Sequence, residues 1–452
     1  MHKSLSFHST LGTVSLGISL VAGCSGTSAE VSGTGGGSGV GGTSATNSGG
    51  NSSADTTTGG VPATGGSDSA GGASTTSTSN AATGGAGTGG QSNQPTGGKA
   101  ATGGAVGTAG AASTRQCSSA LPAGATPVDV TNATSVVGTG TADSCTFSQL
   151  NTAVTKGGII KFNCGPGPTT IAVTATMNLP TNKDTVIDGG NLVTLDGGKA
   201  VQILNFNHQD FMVNEVRVTL QHLTLTNAKT TPKEVIPTAP APCSQGFNDG
   251  EGGALYMRDG NLTVIDCTFS GNQAALLGPD TGGGAIYILG SKHGALIVNS
   301  TFMNNQASNA GAVGGLFAEL DIYNSAFTNN KATGNGANSN DSTKCSAINN
   351  GQNEVGSGGN GGAICQDGGN ATNVILCGDT ITGNAAGTGA FGGGVFMTSN
   401  DWSGTIAISD TTITGNTGGS WTQLQQGSVT NLGTAFGINA KSATVTNSTL
   451  QK

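Results

Sequence analysis

Short runs in which apolar and polar residues alternate recur along the second half of the chain. Between Ala254 and Phe269, two such runs, Ala-Leu-Tyr-Met and Leu-Thr-Val-Ile, stand on either side of Asp259-Gly260-Asn261, which predicts a turn. Alternation with a period of two, rich in Val, Ile, Thr and Phe, predicts β-strands. Since this region lacks a sustained helical periodicity, the pattern predicts an all-β fold.

The alternating runs belong to a longer repeat. A glycine-rich start leads to a phenylalanine or isoleucine at positions 269, 302, 327, 381 and 413, and an asparagine follows three residues later at 272, 305, 330, 384 and 416. One repeat of this length cannot bury its apolar side alone, so repeats of this kind stack into a solenoid. In such a stack we expect the asparagines to bond along the axis and the rings of Phe269, Phe302 and Phe327 to lie together inside.

The repeat carries a family resemblance. Gly283-Gly284-Ala285-Ile286 and Phe269-Ser270-Gly271-Asn272 resemble the repeat of polymorphic outer-membrane proteins. Residues 117–452 as a whole resemble the right-handed parallel β-helix superfamily, which includes pectate lyases. The resemblance implies a right-handed parallel β-helix, but it does not imply one function, because the superfamily contains adhesins, lyases, hydrolases and proteins of unknown role.

The beginning of the chain predicts export. Lys3 and the apolar stretch Leu11 to Leu20 are typical of a signal peptide, here residues 1–23, and the residues before Cys24 resemble a bacterial lipobox, which implies lipidation of Cys24. The alternative is an ordinary cleaved signal with a chance cysteine. Residues 24–116 are rich in Gly, Ser, Thr and Ala, so they predict a disordered, lipid-anchored linker before the β-helix domain at 117–452.

Charge and cysteine content narrow the function classes. The net charge of −8 predicts no nucleic-acid partner, because a basic patch for phosphates is missing. With Cys24 assigned to lipid, eight of the nine cysteines are left, and an even number in an exported protein suggests disulfides. We predict the pair Cys145 and Cys164 at the start of the coil. The sequence leaves the pairing of the other six open: Cys117, Cys243, Cys267, Cys345, Cys365 and Cys377.

Charged residues before and within the repeats are candidates for a polysaccharide site. A lyase of the resembled superfamily would need carboxylates for Ca²⁺ and a basic residue as proton acceptor. The candidates are Asp249, Glu251 and Asp280 on the acidic side and Arg258, Lys292 and His293 on the basic side. The alternative is that these are solvated loop charges, so we assign no metal ligand and no catalytic residue.

Aromatic residues supply a second candidate for ligand binding. If Leu255 and Met257 point inward, then Tyr256 points outward, and Tyr287 and Phe396 are at equivalent positions. An exposed file of rings could stack on sugars. The alternative is that an insertion, near 229–250 or 333–358, covers the rings.

Together these patterns predict an exported protein held by a lipid anchor at the outer membrane or cell surface. The leading interpretation is adhesion through a polysaccharide or cell-surface ligand, with the membrane as a second partner. The alternatives are a polysaccharide lyase or glycoside hydrolase and a passive coat component, and the sequence leans against an enzyme.

Overall fold

The computed structural model describes residues 116–232, 250–278, 281–334, 358–368, 372–399, 401–426 and 432–451. The predicted signal peptide, Cys24 and the linker up to residue 115 lie outside these residues, as do Asp249, Asp280, Cys243 and Cys345. The boundaries predicted for the signal peptide, linker and β-helix domain therefore stay predictions.

The described residues form mostly short strands, as the alternating pattern predicts. In chain order, the first half are β1 (Ser135–Val137), β2 (Gly158–Phe162), β3 (Thr169–Ala172), β4 (Met177–Asn178), β5 (Thr185–Asp196), β6 (Leu204–Asn207), β7 (Arg217–Thr226), β8 (Leu255–Arg258), β9 (Asn261–Ile265), β10 (Thr268–Ser270), β11 (Ile286–Leu289), β12 (Ala295–Val298), β13 (Thr301–Met303) and β14 (Gln306–Ala307). The second half are β15 (Val313–Leu316), β16 (Leu320–Tyr323), β17 (Ala326–Thr328), β18 (Lys331–Ala332), β19 (Ile364–Gly368), β20 (Val374–Cys377), β21 (Thr380–Thr382), β22 (Val395–Ser399), β23 (Thr405–Ser409), β24 (Thr412–Thr414), β25 (Trp421–Leu424), β26 (Phe436–Ala440), β27 (Ser442–Thr446) and β28 (Thr449–Leu450).

All the named strand pairs are parallel, and each joins one repeat to the next. Sheet A has 17 strands and contains two strand series: β9, β12, β16, β20 and β23 pair in succession, as do β10, β13, β17, β21 and β24. Sheet B has nine strands, including β6, β8, β11, β15, β19, β22 and β26, and β14 pairs with β18 in a small third sheet. Parallel strands that return in register after each repeat are compatible with a parallel β-helix.

The core lies between the sheets and repeats the same contacts from one repeat to the next. Phe269, Phe302 and Phe327 are fully buried, and their rings stack with centroids 4.9 and 4.8 Å apart and planes 3° from parallel. The predicted three-ring stack is confirmed. Ile381 and Ile413 continue the same file in the following repeats.

The predicted asparagine ladder is also confirmed. In each successive pair, the side-chain Nδ2 donates to Oδ1 of the next asparagine at 2.9–3.0 Å. The ladder consists of Asn272, Asn305, Asn330, Asn384 and Asn416, all buried. At its end, the backbone N–H of Asn416 donates to Oε1 of Gln451. These bonds satisfy amides that would otherwise be left unpaired inside the stack.

In the described residues, a short 3₁₀ helix (Ala142–Ser144) and one α-helix interrupt the all-β pattern, and the sequence analysis did not predict them. Helix α1 (Phe147–Lys156) begins at Thr146, whose hydroxyl accepts the backbone N–H of Gln149, and it ends at Gly157 with φ 66°. It buries Leu150, Ala153 and Val154, which share one helical face, and it packs on β1 and β4 at the first end of the stack.

One disulfide lies at this end of the fold, and another joins residues far apart in the sequence. Cys145 and Cys164, the pair predicted from the sequence, are joined beside α1. Cys117 is joined to Cys377 across 260 residues, and Cys365 is also disulfide-bonded. Cys267, one of the six cysteines whose pairing the sequence left open, is a free thiol. Its burial in the core raises its pKa to about 12, which leaves it unreactive.

Residues 116–134, which we call the strap, run along the outer side of sheet A. Beside the Cys117–Cys377 disulfide, the backbone N–H and hydroxyl of Ser118 both donate to Oδ2 of Asp410. Further along, Val128 exchanges two hydrogen bonds with the side chain of Gln221 at 2.8 and 2.9 Å. The strap therefore contacts many repeats in turn.

Between its two ends, the strap covers an apolar file. Ala125 packs with Ile265, Val298 and Tyr323, which stand in register on β9, β12 and β16 and are all buried. Gly378 is required where the strap begins, because a Cβ there would clash with the backbone nitrogen of Cys117.

Candidate functional site

The three basic candidates from the sequence lie on neighbouring repeats at one edge of sheet B. Arg258 ends β8, while Lys292 and His293 lie between β11 and β12. Residues 208–216, which we call the edge loop, connect β6 to β7 and reach this edge. The edge loop is held there by two buried side chains, Asp259 and Asn261.

Asp259 anchors the first half of the edge loop. This residue is in the turn predicted at Asp259-Gly260, has φ 50° and is fully buried. Its Oδ1 accepts the backbone N–H groups of Val213 and Asn214 at 2.8 and 3.1 Å, and its Oδ2 is 2.9 Å from Nδ1 of His208. This hydrogen bond fixes the orientation of the His208 ring.

Asn261 joins the second half of the edge loop to the next repeat. Its Nδ2 donates to the carbonyl oxygens of Asn214 and Val216, and its Oδ1 accepts the backbone N–H of His293 at 2.8 Å and the hydroxyl of Ser291. The side chain is fully buried. It brings Glu215 next to Lys292 and His293, which are almost 80 positions further along the chain.

Glu215 lies between two of the predicted basic residues. One carboxylate oxygen binds Nζ of Lys292, and the other is 2.7 Å from Nε2 of His293. The side chains of Glu215, Lys292 and His293 are 62%, 44% and 47% exposed. The hydrogen bond from Lys292, followed by that from His293, lowers the pKa of Glu215. Because the three side chains are about half exposed, they are accessible to a ligand. Exposed ion pairs of this kind contribute little to stability.

The edge loop also carries an exposed apolar ring, four residues before Glu215 in the chain. Phe211 is 39% exposed, and its ring contacts Phe317 edge-on at 5.5 Å. Gly290 makes room for it, since a Cβ at this position would clash with the ring of Phe211. The sequence analysis did not identify this residue. An aromatic residue within a polar segment, Asn-His-Gln-Asp-Phe, is the signal that could have found it.

Arg258 binds the beginning of the edge loop. Its Nη2 donates to the carbonyl oxygen of Gln209 at 3.1 Å, and its own carbonyl oxygen accepts the backbone N–H of His208. The side chain is therefore held against the loop, and Lys292 and His293 are the more exposed basic side chains of this edge.

The outward aromatic file is different from the prediction. Tyr256, Tyr287 and Phe396 do lie outside the main core, but they are only 9%, 3% and 0% exposed. The two tyrosine rings stack with centroids 6.4 Å apart and pack with Leu289 and Leu316. The prediction of an exposed file was wrong, because other side chains cover these rings.

Phe396 shows the same burial in a separate cluster. Its ring stacks on Trp421 with a centroid distance of 6.3 Å, and Phe391 packs beside both. Glu251, predicted as a solvated or ligand-binding charge, is 4% exposed. Burial, and in second place the charge of Glu251, raises the pKa of Tyr256. These residues stabilise the outer side of sheet B and offer no open ring face.

The described residues contain one close group of metal-ligand types: Cys117, Cys377 and Asp410. Its two sulfur atoms are bonded to each other, and Asp410 accepts hydrogen bonds from Ser118, so the group fastens the strap. Asp249 and Asp280, predicted as acidic candidates, lie outside the described residues. The Ca²⁺ expectation therefore stays a prediction.

No family model, curated protein or solved structure matches this chain. In the part of the chain that the structure describes, no helix has both the length and the apolar character to cross a membrane. The case for a function therefore rests on the residues themselves.

Proposed function

We propose that this chain is an exported, lipid-anchored surface protein that binds a glycan at the edge loop. In this proposal the parallel sheets form a right-handed β-helix like that of the polymorphic outer-membrane-protein repeats, and the linker holds it away from the outer membrane. The single observation that supports a binding site is that the edge loop carries both the exposed ring of Phe211 and the exposed carboxylate of Glu215, which binds Lys292 and His293.

This arrangement has the chemistry of a sugar-binding site. An exposed ring offers apolar area to the face of a sugar, and the flanking charged groups donate to and accept from its hydroxyls. The site is also preorganised, because Asp259 and Asn261 fix the backbone of the edge loop. A preorganised loop loses less entropy when a ligand binds.

The test is a glycan array probed with the full chain and with Phe211→Ala. We expect the variant to raise the Kd of a bound glycan about tenfold, which is about 1.4 kcal/mol. Lys292→Gln provides a second variant that leaves the ring in place. Leu276→Ala is the matched control, because Leu276 is 38% exposed, almost the same as Phe211, but lies on a different loop. Unchanged binding by both edge-loop variants would place the glycan site elsewhere.

A second candidate is a polysaccharide lyase or hydrolase, favoured by the pair His208 and Asp259. A histidine whose Nδ1 is fixed by a buried carboxylate is suited to transfer protons at Nε2. That side chain is 29% exposed, and its Nε2 is 4.0 Å from Oδ2 of Asp210. New reducing or unsaturated ends on acidic polysaccharides, lost in His208→Gln, would favour an enzyme over a binding protein.

The proposed anchor has its own test, which depends on the sequence alone. Cys24→Ser should release the protein from membranes, because the linker has no apolar stretch that could hold it there. A variant that still sediments with membranes after a high-salt wash would contradict the lipid assignment.

A further inference from the structure

The outward side of the second strand series of sheet A carries a file of threonines. Strand pairing places one residue per repeat in register, from β3 and β5 through β7 to β28. The file runs Thr170, Thr194, Thr224, Thr268, Thr301, Ala326, Thr380, Thr412 and Thr449. All but Ala326 are threonine.

A second file runs beside the first, two residues further along each strand. Its members are Asp196, Thr226, Ser270, Met303, Thr328, Thr382 and Thr414. All but Asp196 and Met303 carry a hydroxyl. The residue between the files points into the core, as Phe269 and Phe302 do. We call the two files together the threonine face.

Strand propensity alone does not explain this composition. The first strand series of the same sheet, built from strands of similar length, has an outward file as well. That file runs Thr219, Thr263, Leu296, Asp321, Ile375, Ala407 and Thr444. It mixes apolar, acidic and hydroxyl side chains. The same parallel geometry therefore tolerates other residues, and the apolar members of this file, Leu296 and Ile375, pack under the strap.

The threonine face is also the more open one, except at Ala326 and Met303, which are 0% and 9% exposed. The strap packs along the outer side of the first strand series, and outward side chains of sheet B such as Tyr287 and Phe396 are buried. In the threonine face, Thr268, Thr301 and Thr412 are partly exposed. Within the described residues, their hydroxyls have no hydrogen-bond partner in the protein, so they are available to water or to a ligand.

The geometry of the face is regular in two directions. Neighbouring strands lie about 4.8 Å apart, and residues two apart on one strand are about 6.6 Å apart. Threonine is β-branched and restricted at χ1, so each threonine of the face presents a hydroxyl and a methyl group in one of few orientations. Behind the face, the stacked rings and the asparagine ladder hold successive repeats in fixed register.

We propose that the threonine face adsorbs to ice. A ligand that matches a two-dimensional hydroxyl and methyl array must itself repeat in two dimensions, and the strand spacing is close to the short repeat of hexagonal ice. Ordered water held by the hydroxyls can join such a lattice. The face has no exposed aromatic ring and almost no charge, so it lacks the groups that favour single sugars or anions.

The test measures how much of the full chain enters slowly grown ice, relative to the liquid. The parent should be enriched in the ice, and Thr268→Lys with Thr412→Lys should lower the ice-bound fraction roughly tenfold, because two long cations break the complementarity of the face. Thr444→Lys is the matched control. It introduces the same change on sheet A, at an exposed threonine of the other strand series. Circular dichroism melting checks that all variants fold.

Three results would overturn the proposal. The parent could be excluded from ice like an unrelated soluble protein, or Thr444→Lys could reduce the ice-bound fraction as much as the double variant. Binding to insoluble cellulose or chitin that depends on Thr268 and Thr412, without ice enrichment, would make a crystalline polysaccharide the occupant instead. Phe211→Ala should not change ice enrichment, so the outcome is independent of the proposed glycan site.

Discussion

Asn330→Ala should lower the free energy of unfolding by about 2–6 kcal/mol. Asn330 is 1% exposed, its Nδ2 donates to Asn384 and to the carbonyl oxygen of Phe302, and its Oδ1 accepts two N–H groups of Asn305 at 2.9 and 3.0 Å. Alanine removes all four bonds and leaves two buried donors on Asn305. An unsatisfied buried donor costs about 1–3 kcal/mol, and two such donors give this range.

The measurement is urea unfolding followed by far-ultraviolet circular dichroism, with the unfolding rate at fixed urea as the readout if refolding is incomplete. Asn329→Gly is the matched control, one residue earlier. Asn329 is exposed with φ 54°, and glycine occupies the equivalent position at Gly383 with φ 68°. The control should change stability by no more than about 0.5 kcal/mol. A loss below about 1 kcal/mol for Asn330→Ala would refute the ladder as a stabilising element.

Three further predictions test other parts of the fold. Phe302→Ala should cost about 3–5 kcal/mol in the same assay, since it removes the middle ring of the stack, and a loss below about 1 kcal/mol would contradict its burial. Burial raises the pKa of Asp379 well above its usual range, so its contribution to stability is present below the unfolded pKa and falls as the pH rises through the folded pKa. Asp379→Ser introduces the residue found at the equivalent positions 300 and 325. It should remove this fall and raise stability at neutral pH by about 1–3 kcal/mol, and urea unfolding with an unchanged pH dependence would contradict this. Cys117→Ser with Cys377→Ser should speed amide exchange in residues 117–130 and lower stability by about 2–5 kcal/mol, and unchanged exchange would show that the hydrogen bonds alone hold the strap.

The sequence by itself determined the parts of the fold that repeat. Phe269, Phe302 and Phe327 stack, and the asparagines after them form a ladder, because parallel strands in register bring the same position of each repeat together. Local alternation also determined which side of β8 faces the core, with Leu255 and Met257 inside.

Only the tertiary structure decided which outward side chains of the repeats are covered and which remain exposed to solvent. The direction of Tyr256 follows from alternation, but its burial depends on side chains from other repeats, which the local pattern does not contain. The same is true of Cys117 and Cys377, whose separation of 260 residues leaves no local signal. It is also true of Glu215, which meets Lys292 because the buried Asp259 and Asn261 hold the edge loop there. A period-two pattern encodes which side of a strand faces the core. Contacts between distant, non-repeating segments depend on how the whole chain packs, and these contacts shape the candidate site.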